Sequence, residues 1–145
     1  MMVGGAAEPL YEPHQMHADG WARLHFRQDF AASALHEAAH WCIAGAQRRA
    51  MVDFGYWYHP DGRNAEQQQE FYQFEVKPQA LEWLLADAAG VSFNISADNL
   101  AGFDPKALGA FTQAVHQQKA HYLDCGLPPR AQRLVTALLN YRRTR

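Results

Sequence analysis

Apolar and polar positions change their period several times along the chain. In WARLHFR, residues 21–27, they alternate, which predicts a strand. From about Ala32 to Gln47 the apolar residues cover almost the whole helical circumference, predicting a helix buried nearly all round. VDFGYWYHPDGR, residues 52–63, predicts a second strand that ends in a Pro-Asp-Gly turn. The polar stretch NAEQQQEFYQFEV fits neither period. KPQALEWLLADAAG then predicts a helix with Pro78 in its first turn, Gly90 as its stop and Leu81, Leu84, Leu85 and Ala88 as its apolar stripe. DPKALGAFTQAVHQQKAHYLDCG predicts another, with Asp104 as N-cap, Pro105 at the first helical position and Gly126 just past the end. Its buried side is expected at Leu108, Phe111, Val115 and Tyr122. A last helix starts at Pro128–Pro129 and is expected to bury Leu134, Val135, Leu138 and Leu139. Residues 1–20, broken by Gly4-Gly5, Pro9, Pro13 and Asp19-Gly20, read as loop. The sum is one α+β domain over residues 1–145, rich in helix with a small sheet.

Composition narrows the setting. A chain of 145 residues, 48% hydrophobic and 19% charged, has the make-up of an ordinary globular protein. Its net charge of −2 offers no general attraction to nucleic acid or to an anionic membrane. The apolar runs are too short for a transmembrane span, and MMVGGAAEPLYEP has neither the basic nor the apolar region of a secretory signal. Cys42 and Cys125 form no disulfide framework, so a reducing cytoplasm is the expected compartment. Ten of the thirteen basic residues are arginines, clustered at Arg48–Arg49 and Arg142–Arg143–Arg145, where they suit an acidic protein partner or a solvated rim equally.

One stretch resists a purely structural account. SALHEAAHWCIAG, residues 33–45, is almost entirely small and apolar, yet it carries His36, Glu37 and His40. On a helix the two imidazoles lie about 40° apart around the axis, one above the other. A buried carboxylate beside two imidazoles is costly unless a cation compensates it, and a divalent metal does so. HExxH is a meaningful spacing because imidazoles at i and i+4 reach one ion from one face.

A third ligand is expected downstream. Glu75, between Phe74 and Val76 just ahead of the Pro78 helix, is the best candidate, because an unpaired carboxylate there is hard to explain. Capping of its own helix is the competing role. Glu66, Glu70, Asp53 and His59 are the other candidates. Two histidines and a carboxylate leave open positions, as in a catalytic site. With zinc, Glu37 would act as general base on a metal-bound water and the protein would be a peptidase or other hydrolase. With iron, the same three ligands make the facial triad of non-haem oxygenases. Spacing alone favours the first.

The blocks SALHEAAHWCIAG, VDFGYWYHPDGR, FEVKPQALEWLLADAAG and FNISADNL, in this order and over roughly residues 8–141, resemble the signature blocks of the bacterial elongation factor P hydroxylase family. The resemblance implies a zincin-like fold around the HExxH helix and hydroxylation of the β-lysylated lysine of elongation factor P. It implies metal ligation by His36, His40 and Glu75, most consistently of Fe(II), with Zn as the alternative and dioxygen as co-substrate. Glu37 matches the motif's second position and would orient His40 or a water. Tyr56, Trp57 and Tyr58, with His59, Asp61 and Arg63, would border the lysine channel; packing on the active-site helix is the alternative for this block. Members of the family carry an extra segment ahead of the point where this chain begins and a short tail past Arg145, so the resemblance implies a start partway through the family's domain. The expected partner is elongation factor P, with no direct nucleic acid and no membrane.

Overall fold

The computed structural model describes residues 1–28, 30–53, 62–97 and 104–145. The chain is mostly helical with a three-stranded sheet, an α+β arrangement, and divides into two compact units, residues 1–55 and 56–145.

The first unit is built on the alternating segment found in the sequence. β3 (Arg23–Arg27) is the central strand, with β1 (Met2–Ala6) parallel on one side and β2 (Leu10–Glu12) antiparallel on the other. The first twenty residues are therefore not loop, as their turn-forming composition suggests. They supply both edge strands and a short 3-10 turn at His14–Met16. Glycines are tolerated here because β1 pairs on one side only, and its register slips between Val3 and Ala6, where Gly5 takes φ +79°. β1 and β2 are made by a non-local ladder, which no local pattern announces.

α1 (Ala31–Ile43) packs on β3. It ends sooner than its apolar run suggests. Ala44 turns to an extended conformation, and the chain re-enters a short helix, α2 (Ala46–Arg49), after Gly45. Arg49 Nε donates to the Ala44 carbonyl at 3.1 Å, satisfying one of the acceptors the helix end leaves over. Nor is α1 buried all round. Ala38, Ala39 and Cys42 are buried, while Ala31 and Ala32 are exposed and the rest lie half-buried, so one small-residue stripe carries the packing. After α2 the chain returns to the edge of β2, where Tyr11 and Asp53 exchange backbone hydrogen bonds of 2.7 and 3.0 Å. Residues 54–61 of the expected second strand lie outside the described residues.

The second unit is three helices. α3 (Ala65–Ala89) is long, and α4 (Pro105–Cys125) and α5 (Pro129–Arg143) pack against it. α3 starts thirteen residues ahead of Pro78, not at it. Asn64 and Gln67 form a reciprocal capping box, with hydrogen bonds of 2.9 and 3.0 Å, that secures the start. Pro78 then sits mid-helix, where it lacks the N–H that would bond Phe74's carbonyl. The helix continues through it because both flanks are packed: Phe71, Tyr72 and Glu75 before it and Gln79, Ala80 and Leu81 after it are buried. Tyr72 stacks on Phe111 of α4, and Leu81, Leu84, Leu85 and Ala88 form the expected buried stripe.

Asp104 and Gly126 bound α4 as the sequence signals, and Phe111, Val115 and Tyr122 are buried; Leu108 is only half-buried. α5 departs further. Ala131 is its buried contact, Leu134, Val135 and Leu138 are half-buried, and Leu139 is exposed. Among the described residues, no helix is long and apolar enough to cross a membrane.

Candidate metal centre

His36 and His40 stand one turn apart on α1, with ring centroids 4.8 Å apart and planes at 64°, edge to face. Both are half-buried. The spacing follows from helical geometry alone, and the stripe of Ala38, Ala39 and Cys42 anchors the helix that presents them.

Glu37 faces elsewhere. Together with His40, Trp41 and Ala44 it lines a shallow cleft within the first unit, bordered on other sides by Leu10, Tyr11 and Leu24 and by the Arg48–Asp53 ion pair. Positions 37, 40, 41 and 44 form one face of the helix, turned from the line joining the two histidines, with His40 on both. Tyr11 donates its hydroxyl hydrogen to the Arg49 carbonyl at 2.9 Å, fixing one wall of the cleft.

Glu75 lies in the second unit, within α3 and not in a loop before it. It is ten residues past Ala65, too far in to cap α3, so that competing role falls away. It is fully buried, and its Oε2 accepts a hydrogen bond of 3.1 Å from Gln79 Nε2. Of the competitors, Glu66 and Glu70 are exposed and Asp53 pairs with Arg48. His59 lies outside the described residues, as do Tyr56, Trp57, Tyr58 and Asp61. Arg63 is 1% exposed. Its guanidinium donates to Gln68 Oε1 and to the Ala97 carbonyl, both at 2.8 Å, and lies over the Phe71 ring at 3.9 Å.

Among the described residues, three buried polar side chains escape the sequence reading: Gln68, Gln79 and Glu82. Gln79 is fully enclosed and bonds to both Glu75 and Ser96; its one local signal is its position four residues after Glu75. Glu82, 8% exposed and two turns beyond Glu75, has no signal in a segment rich in leucine and alanine.

Charge is also organised away from these residues. Glu12 Oε2 meets His25 Nε2 at 2.8 Å and His17 Nε2 at 3.3 Å. The hydrogen bond with His25 holds the Glu12 carboxyl below the usual carboxylate range, helped by charge on His17, His25 and Arg23 and opposed by desolvation. The pairing follows from register: Glu12 opposes Arg23 and is diagonal to His25 on the same face of the sheet.

Comparison with known proteins bears on what these residues do. The family model described as Elongation factor P hydroxylase matches residues 1–145. A protein from Haemophilus influenzae named elongation factor P lysine hydroxylase is 49% identical over 140 residues, which is 97% of this chain and 78% of that protein.

Proposed function

The chain belongs to the elongation factor P hydroxylase family, and from that premise we propose that it hydroxylates a lysine of elongation factor P, using dioxygen and a divalent metal held by His36, His40 and Glu75. The observation that carries the reading is the 49% identity to a lysine hydroxylase across nearly the whole chain. The peptidase reading that HExxH spacing allows is set aside on the same ground.

The donor set suits a metal. Each residue offers one ligand atom: a ring nitrogen from each imidazole and an oxygen from the carboxylate. The imidazoles are one turn apart on a packed helix, and the carboxylate is withdrawn from solvent and held by an amide. Fe(II) held by these three residues would keep positions open and would supply the redox chemistry that dioxygen needs; Zn would fit the same donors. A zincin-like arrangement, with two ligands from the HExxH helix and the third from a distant glutamate, is the fold this proposal expects.

The remaining residues handle the substrate. The accepting group is a lysine already extended by a β-lysyl group, a long aliphatic cation. We assign the substrate-binding role to Tyr56, Tyr58, His59 and Asp61, because aromatic faces and an acid would suit such a chain. Arg63, bound to Gln68, Ala97 and Phe71, fixes the end of that block against the start of α3. Glu37 holds His40 or a water in place from the cleft side of α1.

The test is the intact mass of β-lysylated elongation factor P after incubation in air with the iron-loaded protein. The expected result is a gain of one oxygen, abolished by His40→Ala. An unchanged mass, or cleavage of a peptide without dioxygen, contradicts the proposal.

A further inference from the structure

Gln79 lies four residues after Glu75 on α3, so the two side chains sit one above the other. Both are fully buried. The amide makes three hydrogen bonds that use its hydrogens and its carbonyl. Nε2 donates to Glu75 Oε2 at 3.1 Å and to the Ser96 carbonyl at 2.6 Å, and Oε1 accepts from the Ser96 N–H at 3.0 Å. Exchanging the amide's ends would set an acceptor against Glu75, an acceptor against the Ser96 carbonyl and a donor against the Ser96 N–H. The network therefore admits one orientation only.

We infer that Gln79 is a positioning residue for Glu75, setting the plane of the carboxylate toward a metal by tying Oε2 to the backbone at Ser96. The inference rests on the reading of Glu75 as a ligand. A carboxylate on a free side chain swings about its terminal torsion, which is broad and weakly restrained. Here Oε2 is held by an amide that two hydrogen bonds to the Ser96 backbone fix in place, so turning the carboxylate away costs its bond with Gln79. Losing a hydrogen-bond partner of this kind commonly costs about 10–100-fold in metal affinity. A tie that only held the segment around Ser96 against α3 would affect folding and leave metal affinity alone.

A double-mutant cycle separates these. Cobalt(II) affinity is measured by competition with a chelator, and its visible absorption reports coordination, for wild type, Gln79→Met, Glu75→Gln and the double variant. Circular dichroism of each metal-free protein checks the fold. The expected result is roughly 10–100-fold weaker cobalt(II) binding with an altered spectrum for Gln79→Met, and no further loss when Gln79→Met is added to Glu75→Gln. If Gln79→Met does not fold, Gln79→Asn, whose amide falls one methylene short of Glu75, makes the same comparison. Unchanged affinity in Gln79→Met while Glu75→Gln weakens binding overturns the inference and leaves the ligand reading standing. Equal losses in both backgrounds overturn it too. Unchanged affinity in Glu75→Gln overturns the ligand reading itself.

Discussion

Glu12 receives two imidazoles on one carboxylate oxygen, and the consequence is a dependence of stability on pH. Its pKa is held down in the folded protein, first by the hydrogen bond with His25. A carboxyl lowered on folding stabilises the native state fully above its ordinary value of 4.5 and loses that contribution as pH falls through the lowered value. Glu12→Gln should therefore lower the urea midpoint at about pH 7, and the gap from wild type should narrow as pH falls below 4.5. A gap that persists at low pH would mean that Glu12 acts through packing alone. At this scale legibility depended on how far each partner lies along the chain. His36 and His40 declare their relation by spacing, and Glu75 by an apolar setting that an acid does not suit. Gln79 does not, because the groups that fix it belong to Ser96, seventeen residues further on. Arg63 shows the same limit: nothing in PDGR says that its guanidinium turns inward to Ala97 and Phe71.

Among the elements, α3 depends on its first turn. Asn64 accepts from the Gln67 N–H, and the Gln67 side chain accepts from the Asn64 N–H, just ahead of a polar run with weak helical patterning. Asn64→Ala should cost about 1 kcal/mol and lower Tm by a few degrees, with Asn64→Asp close to wild type; thermal melts of the three proteins make the comparison. An unchanged Tm in Asn64→Ala would place the nucleus of the helix further along, at Phe71 and Tyr72. The capping box lay in the sequence, but Pro78 carried the stronger local signal and drew the start of the helix to itself. Packing against α4 overrides that signal. α4 was legible at both ends because Asp104-Pro105 and Gly126 act locally and agree. β1 and β2 were illegible for the opposite reason, since glycine- and proline-rich segments become strands only by pairing with β3.

For the whole molecule, family membership and chemistry lead to one reaction. The full-length family match supplies the class of enzyme, and the HExxH imidazoles with a buried glutamate supply donors suited to it. Hydroxylation with dioxygen makes a demand that hydrolysis does not: the added oxygen atom must come from the gas and not from water. The most direct test supplies isotopically heavy dioxygen in ordinary water to the iron-loaded protein and β-lysylated elongation factor P, and reads the mass of the modified lysine. The account predicts that the new oxygen is the heavy isotope. An oxygen of ordinary mass, drawn from water, would contradict it.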